Sequence, residues 1–293
     1  MRGRPLLIGA HVSIAGGLPE AFARGRAVGC DTIQVFTKNS NQWRARPLSE
    51  QEVEAFRAAQ RESGIAPVLA HVSYLINIAC PERGLFRKSV EALHLEAERA
   101  ERLGIRYLVL HPGAHLGRGV GEGVKRAAEA LDTVHARTPA ATLRILLETT
   151  AGQGSALGAR FEELAALHAR VAHPERLGVC LDSCHIFAAG YEIRTAAGYR
   201  ETLRTFDATV GLHRLMAIHL NDSMGERGSR VDRHRHIGEG RIGREGFRHL
   251  LRDRRLRGLP MILETPKDDD VVRADRRNLR LLRSLAKAGG RGG

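Results

Sequence analysis

YLVLHPG (residues 107–113) and EGVKRAAEALDTVHAR (residues 122–137) form the unit of sequence that decides the fold. The first part is a short apolar run, typical of a buried strand. The second has apolar residues at intervals of three and four, typical of an amphipathic helix. Strand-like runs recur along the whole chain: LLIGAHV (6–12), TIQVFT (32–37), PVLAHVS (67–73), YLVLHPG (107–113), RILLETT (144–150), LGVCLDSC (177–184), LMAIHLND (215–222) and MILETP (261–266).

This alternation predicts parallel strands joined by helical crossovers. Two architectures accept eight such units: an open doubly wound sheet and a closed (β/α)8 barrel of roughly 250 residues. An open dinucleotide-binding sheet carries G-x-G-x-x-G after its first strand, whereas this chain has VSIAGGLPEAF (12–22) there. We therefore predict an α/β fold, a single-domain (β/α)8 barrel over residues 1–287, followed by a disordered Gly-rich tail at 288–293.

The composition narrows the function classes. A chain of 293 residues, 43% of them hydrophobic, excludes disordered, collagen-like and miniprotein classes. The formal net charge of +13 favours a polyanionic partner, although an Arg-rich surface without a partner would show the same charge. Four scattered cysteines do not suit a disulfide framework, and no apolar stretch is long enough for a membrane span. We expect the LLIGAHV run to be the first strand, not a signal peptide, and the protein to be cytoplasmic.

Side chains that can bind metals lie at or near the downstream ends of these runs, where all strands of a barrel open on one face. They are His11, His71, His111, Glu148, Asp182 with His185, His219 with Asp222, and Glu264. The positions 71, 111, 148, 182, 219 and 264 are separated by 40, 37, 34, 37 and 45 residues, about one β/α unit each. Three carboxylates buried together require cations to neutralise them. The pattern therefore predicts a metal site at the C-terminal face.

The ligand types favour zinc, with manganese or iron as competitors, because Mg²⁺ and Ca²⁺ prefer oxygen ligands throughout. Asp232 and His234, in the long irregular stretch 223–241, could join His185 in a further cluster. Two or three metals are therefore plausible. Closely spaced divalent metals commonly serve in-line displacement at phosphorus. Together with the charge of the chain, they indicate a phosphodiesterase acting on nucleic acid.

Several longer stretches of the sequence, spread from GAHVS (9–13) to LET (263–265), form a distinctive set. They are FTKN and QW (within 36–43), HVSYLINIA (71–79), HPGAH (111–115), LETTAGQGS (147–155), GVCLDSCH (178–185), HLNDS (219–223), GSRVDRH (228–234) and IGEG (237–240). In these stretches the chain resembles the endonuclease IV family, zinc-dependent apurinic/apyrimidinic endonucleases of base-excision repair.

The resemblance implies a (β/α)8 barrel that holds three Zn²⁺ ions at its C-terminal face, with Mn²⁺ or Fe²⁺ as substitutes. The implied ligands are His71, His111 and Glu148 for the first ion; Glu148, Asp182, His219 and Glu264 for the second; and His185, Asp232 and His234 for the third. It also implies hydrolysis of double-stranded DNA on the 5′ side of abasic sites, leaving a 3′-hydroxyl and a 5′-deoxyribose phosphate, and removal of blocking groups from 3′ ends. Catalytic roles fall to Glu148, which bridges two ions, and to Glu264, which orients or deprotonates the attacking water.

Contacts with DNA are implied for four side chains. Tyr74 and Leu75 would enter the gap left by a missing base, and Arg230 and Arg233 would hold backbone phosphates. Asn41 departs from the family pattern, because an Arg after TKN can enter the DNA stack there. Two smaller departures, Ser183 for Thr and Ala114 for Ser, are expected to affect only the surroundings of the ligands. Nothing in the sequence requires more than a monomer.

Two other functions also fit parts of the pattern. A sugar isomerase or epimerase gathers Glu, Asp and His at the strand ends of a barrel, but it would require neither the +13 charge nor the Asp232/His234 pair. A nucleic-acid-binding protein with structural metals would tolerate Glu264→Gln without loss of any activity. Cys180 and Cys184 flank Asp182 and are expected to pack in the core.

Overall fold

The structure, a computed structural model, describes residues 4–287. Its strands are β1 (Leu7–His11), β2 (Thr32–Phe36), β3 (Val68–His71), β4 (Tyr107–Leu110), β5 (Arg144–Glu148), β6 (Leu177–Asp182), β7 (Leu215–His219), β8 (Asp222–Ser223), β9 (His234–Arg235) and β10 (Pro260–Leu263). Its α-helices are α1 (Glu20–Val28), α2 (Glu50–Ser63), α3 (Arg83–Leu103), α4 (Val120–Arg137), α5 (Phe161–Arg170), α6 (Ser183–Ala189), α7 (Ala196–Thr209), α8 (Gly243–Arg252) and α9 (Val271–Ala286).

Eight parallel strands close into a barrel in the order β1-β10-β7-β6-β5-β4-β3-β2. Each of the eight apolar runs supplies one of these strands, so the predicted (β/α)8 fold is confirmed and the open doubly wound sheet is excluded. The long stretch after β7 is not wholly irregular, because β8 and β9 pair as a short antiparallel ribbon within it. The predicted disordered tail at 288–293 lies outside the described residues.

Helices cover the outside of the barrel, and their ends follow local sequence signals. Ser49 and Glu52 form the capping box that starts α2, and Gly64 ends the helix in the left-handed conformation with φ of 69°. The helices pack through apolar faces; the rings of Phe22 on α1 and Phe56 on α2 lie 4.9 Å apart. Burying one such ring stabilises the fold by about 1.5–3 kcal/mol. Among the residues described, no helix has the length and apolar character needed to cross a membrane.

A separate apolar layer fills the interior of the barrel. One side chain comes from each of six strands: Leu69, Val109, Leu146, Cys180, Ala217 and Ile262. All six are fully buried. Side chains two residues apart on a strand point to the same side of the sheet. The residue two positions after each of these six therefore also faces the interior, nearer the C-terminal rim.

Candidate metal centre

The residues two positions after the six interior side chains all carry ligand-type groups. Taken in the order of the layer, they are His71, His111, Glu148, Asp182, His219 and Glu264. The period of two along each strand therefore brings these six side chains above the apolar layer, at the mouth of the barrel. Residues from strands spread over nearly two hundred positions of sequence meet there because the sheet is closed.

Glu148 lies at the centre of this arrangement and is completely buried. Its Oε2 is 3.1 Å from Nε2 of His71 and 3.1 Å from Nε2 of His111. Its Oε1 is 2.9 Å from Nδ1 of His219. One carboxylate thus contacts imidazoles on two sides, and its two oxygens belong to two different groups of side chains.

Ligand-type atoms of the described residues form four groups, and within each group the atoms lie within 4.8 Å of one another. Three of the groups are His71, His111 and Glu148; Glu148, Asp182, His219 and Glu264; and His185, Asp232 and His234. These three match the sets that the sequence resemblance implies, with Glu148 common to two of them. The fourth group is Asp182, Cys184 and His234.

The third group depends on a loop that crosses the rim. Asp232 lies in the loop between β8 and β9, and His234 is the first residue of β9. His185 lies in the first turn of α6. Asp232 Oδ1 lies 3.1 Å from His185 Nε2 and 3.3 Å from His234 Nε2. Asp182 caps α6 by accepting a hydrogen bond from the backbone N–H of His185, so the same residue links the second and third groups.

Backbone carbonyls fix the orientation of several imidazoles. Nδ1 of His71 donates to the carbonyl of Val72, and Nδ1 of His185 donates to that of Thr149, both at 2.7 Å. Nδ1 of His234 lies 3.1 Å from the carbonyl of Glu264. In each ring the other nitrogen, Nε2, is left to face a carboxylate. This pattern is typical of histidines that bind metals, whose second nitrogen is held by a carbonyl or carboxylate.

Two of these inward-facing nitrogens have no hydrogen bond to any residue in the described part of the chain. They are Nε2 of His185 and Nε2 of His234, both buried. Each is close to Asp232, but neither points along a hydrogen bond to it. Buried polar atoms are nearly always paired. Lone pairs that converge on one point beside a carboxylate are the arrangement that a divalent metal ion satisfies, so the residues fit such an ion.

The electrostatics of the rim also attracts cations. Burial alone would raise the pKa of Glu148, yet neighbouring imidazoles, His219 first among them, hold that pKa well below its ordinary value. Burial likewise lowers the pKa of His185, but Asp182 and Asp232 outweigh it and raise the pKa to about 10. The carboxylates thus favour a positive charge at this position, which a proton on the imidazole supplies in the metal-free protein and which a divalent ion would supply by displacing that proton.

Two polar strand-end residues of the sequence pattern do not join the groups. His11 lies behind Glu264, 3.5 Å from its Oε1, and packs against the ring of Phe36. The carboxylate of Asp222 turns away from the rim and accepts hydrogen bonds from backbone N–H groups of residues 238–243. It anchors the loop that carries Asp232 and His234.

Cys184 lies as close to Asp182 and His234 as a ligand would. However, burial raises the pKa of its thiol, and the thiol donates a hydrogen bond to the carbonyl of Arg233 at 3.7 Å. A protonated thiol is a poor metal ligand, because the thiolate is the form that binds. Cys180 belongs to the interior layer of the barrel.

Gln34 is a polar residue of the site that sequence reasoning missed. It lies on β2, is completely buried, and contacts both Glu264 and His219. The available signal was a single amide inside the apolar run TIQVF, at a position where an aliphatic side chain is usual.

The side chains expected to contact DNA surround the rim. Tyr74 is 63% exposed, and its ring centroid lies 5.3 Å from that of His71. Leu75 beside it is half-buried. Arg230 and Arg233 are exposed on the loop of the third group, and Arg230 has a left-handed φ of 55°.

Known proteins of similar sequence cover almost the whole chain. A family model described as "Xylose isomerase-like TIM barrel" matches residues 22–285. A probable endonuclease 4 of Chloroflexus aurantiacus is 53% identical over 279 residues, which cover 95% of this chain and 98% of that protein. A probable endonuclease 4 of Geobacter sulfurreducens is 51% identical over 280 residues, covering 96% of this chain and 94% of that protein.

Solved structures are similar as well. The crystal structure of endonuclease IV from Thermus thermophilus aligns with a TM-score of 0.84 and 41% identity, over 95% of this chain and 98% of that one. A D-tagatose 3-epimerase-like protein aligns with a TM-score of 0.72 but only 18% identity, over 96% of this chain and 98% of that one. The epimerase likeness shows the fold alone.

Proposed function

The chain belongs to the endonuclease IV family of DNA-repair endonucleases. We propose that its nine rim residues hold three divalent metal ions, preferably zinc, for hydrolysis of DNA at abasic sites. The observation that carries the proposal is the set of three adjacent groups at the rim, two of which share Glu148. A sugar isomerase requires neither the third group nor the net charge of +13. The endonuclease relatives near 50% identity favour the repair function over it.

The proposed ligand sets are those of the three groups: His71, His111 and Glu148; Glu148, Asp182, His219 and Glu264; and His185, Asp232 and His234. Manganese and iron suit the same ligands. Bound there, divalent metal ions polarise a phosphate, lower the pKa of water and stabilise a leaving oxyanion.

Within this centre Glu148 holds the first and second groups at a fixed separation, because each of its oxygens contacts a different imidazole. Glu264 has the freer carboxylate, since 13% of its side chain is exposed while that of Glu148 is buried. We assign Glu264 the orientation of the attacking water and the acceptance of its proton at a carboxylate oxygen. Its Oε1 is held by Gln34, so the carboxylate is already oriented before substrate binds.

Recognition of the damage would use the exposed residues of the rim. A nucleotide without a base lacks stacking, so its extrusion costs less than flipping an intact nucleotide. Tyr74 and Leu75 would fill the vacated space in the stack. Arg230 and Arg233 would hold phosphates on either side of the site, which positions the DNA without reading its sequence. The expected products are a 3′-hydroxyl and a 5′-deoxyribose phosphate, and blocked 3′ ends would be processed at the same centre. A monomeric state and a cytoplasmic location stay predictions.

The test is incision of a duplex that contains one tetrahydrofuran abasic analogue. We expect a single nick on its 5′ side, loss of the nick after chelation and recovery with Zn²⁺. Metal analysis by inductively coupled plasma spectrometry should find about three ions per chain in the active preparation. Glu264→Gln should lower incision by about 10²–10⁴-fold while DNA affinity falls only modestly. Glu54→Gln, an exposed change on α2, is the matched control and should retain activity.

Two results would refute the proposal. One is an active preparation that contains no transition metal. The other is an intact abasic duplex under conditions in which an aldose is isomerised.

A further inference from the structure

Gln34 makes an unusual set of hydrogen bonds at the base of the proposed metal centre. Its Nε2 donates to Glu264 Oε1 at 2.6 Å and lies 3.0 Å from His11 Nδ1. Its Oε1 lies 2.9 Å from His219 Nε2. A buried amide is costly unless it is hydrogen-bonded, and here both its nitrogen and its oxygen are engaged.

The contact with Glu264 sets the orientation of the Gln34 amide, and that orientation in turn sets the tautomer of His219. A carboxylate only accepts hydrogen bonds, so the amide nitrogen of Gln34 must face Glu264. The amide oxygen must then face His219, where it can only accept. Nε2 of His219 therefore carries a hydrogen, and Nδ1 is the nitrogen that turns towards the carboxylates. That nitrogen lies 2.9 Å from Glu148 Oε1 and 3.3 Å from Glu264 Oε2.

We propose that Gln34 is a positioning residue of the reaction: its amide links Glu264 to His219, which fixes the tautomer of the imidazole and the orientation of the carboxylate. The inference rests on the proposed metal centre, because it concerns two ligands of the second group. In metal sites generally, hydrogen bonds to the metal-binding side chains orient those side chains and raise the affinity for the metal. Their loss costs about 10- to 100-fold in metal affinity or activity.

Burial alone does not explain the amide. In the interior layer, the corresponding position on each of six strands carries an apolar or small side chain, including Leu69 on the neighbouring β3, with which Gln34 is in register. A methionine would fill the space of Gln34 without any hydrogen bond. The amide is therefore needed for its contacts with Glu264 and His219 rather than for packing.

The test compares three variants in the full chain. Gln34→Met keeps the length of the side chain and removes every hydrogen bond. Gln34→Glu keeps an acceptor for His219 but faces Glu264 with a second carboxylate. Gln51→Met, at an exposed position on α2, is the matched control. Zn²⁺ affinity is measured by chelator competition without DNA, and incision kinetics are measured on the tetrahydrofuran duplex.

We expect Gln34→Met to weaken the affinity for one Zn²⁺ by about 10- to 100-fold and to lower kcat, with KM for DNA nearly unchanged. Excess Zn²⁺ should restore part of kcat. Gln34→Glu should lose at least as much as Gln34→Met, and the control should match the parent protein. Melting of the metal-free proteins separates this role from a structural one, since Gln34→Met should melt close to the parent.

The inference is overturned if Gln34→Met binds Zn²⁺ as tightly as the parent, or if its deficits follow lost stability of the metal-free chain. A parent protein that binds no Zn²⁺ at all would instead refute the proposed function.

Discussion

The anchoring of the loop by Asp222 leads to a quantitative prediction about the third group. Asp222 is fully buried, and its Oδ1 accepts from the backbone N–H of Ser223 at 2.8 Å and of Ile242 at 2.9 Å. Its Oδ2 accepts from Gly238 at 2.8 Å and Gly240 at 3.1 Å. The carboxylate thus holds both ends of the segment that carries Asp232 and His234.

Asp222→Asn replaces one acceptor oxygen by an NH2 group. If the amide nitrogen takes the place of Oδ2, the backbone N–H groups of Gly238 and Gly240 lose their acceptor. A buried donor without a partner costs about 1–3 kcal/mol, so the closed loop should lose about 2–6 kcal/mol relative to open forms. At about 1.4 kcal/mol for each tenfold change, opening becomes roughly 30-fold more frequent, or more.

Limited trypsin digestion measures this opening directly, because Arg230, Arg233 and Arg235 lie exposed in the loop. We expect cleavage there to accelerate at least tenfold in Asp222→Asn and the metal content to fall by about one ion per chain. Asp207→Asn is the matched control, since Asp207 is an exposed carboxylate that accepts from the backbone N–H of Leu212. Parental trypsin resistance together with parental metal content in Asp222→Asn would refute the anchoring role.

Two further predictions concern stability. Burial lowers the pKa of His135 and of His168 from 6.5 to about 4, so between those pH values the unfolded chain binds more protons than the folded chain. The contribution of each ring is present in full above pH 6.5 and falls by about 3 kcal/mol as the pH drops to 4. Urea unfolding of His135→Leu/His168→Leu should lose that part of the pH slope, and an unchanged slope would contradict the assignment. Lys38 and Glu96 form a buried ion pair at 3.1 Å, and Glu96 also accepts from the backbone N–H of Ser73. Lys38→Met should therefore cost about 3–5 kcal/mol in urea unfolding and Lys38→Met/Glu96→Gln clearly less, whereas equal losses would argue against the pair.

The sequence predicted much of this site because two simple rules apply to it. Strand ends of a closed parallel barrel share one face, and alternate residues share one side. Since His71, Glu148 and His219 each follow an interior residue by two positions, the spacing alone brings them together. The pairing of Asp232 and His234 with His185 was suggested by their spacing, but the full assignment of this group came from the resemblance, because the loop spans the rim in a path that periodicity does not describe.

The same rules fail beyond the last residue of a strand. Asp222 follows β7 by three residues and lies on β8, outside the barrel, where the alternation of the barrel strands does not set the direction of a side chain and its hydrogen-bond partners do. Those partners lie near residue 240, so the carboxylate turns to the backbone there instead of to the rim. Gln34 was missed for the opposite reason. It lies inside a strand, where an amide is usually discounted, and its meaning depends on contacts with His219 and Glu264, which are 185 and 230 positions away in sequence.

On six strands of the barrel, the interior residue that packs in the apolar layer and the ligand-type residue at the rim are therefore two positions apart. Leu146, in the apolar layer, supports Glu148 from below, while the rim residue keeps its charge because imidazoles surround it. The net charge of +13 favours the approach of a polyanion to the rest of the surface, so the carboxylates at the rim do not exclude DNA as a substrate. The carboxylates would repel a phosphate if they stood alone. DNA affinity and cation binding at the rim are accordingly linked, because the same cations that relieve the crowding of the carboxylates make the rim acceptable to the backbone of the substrate.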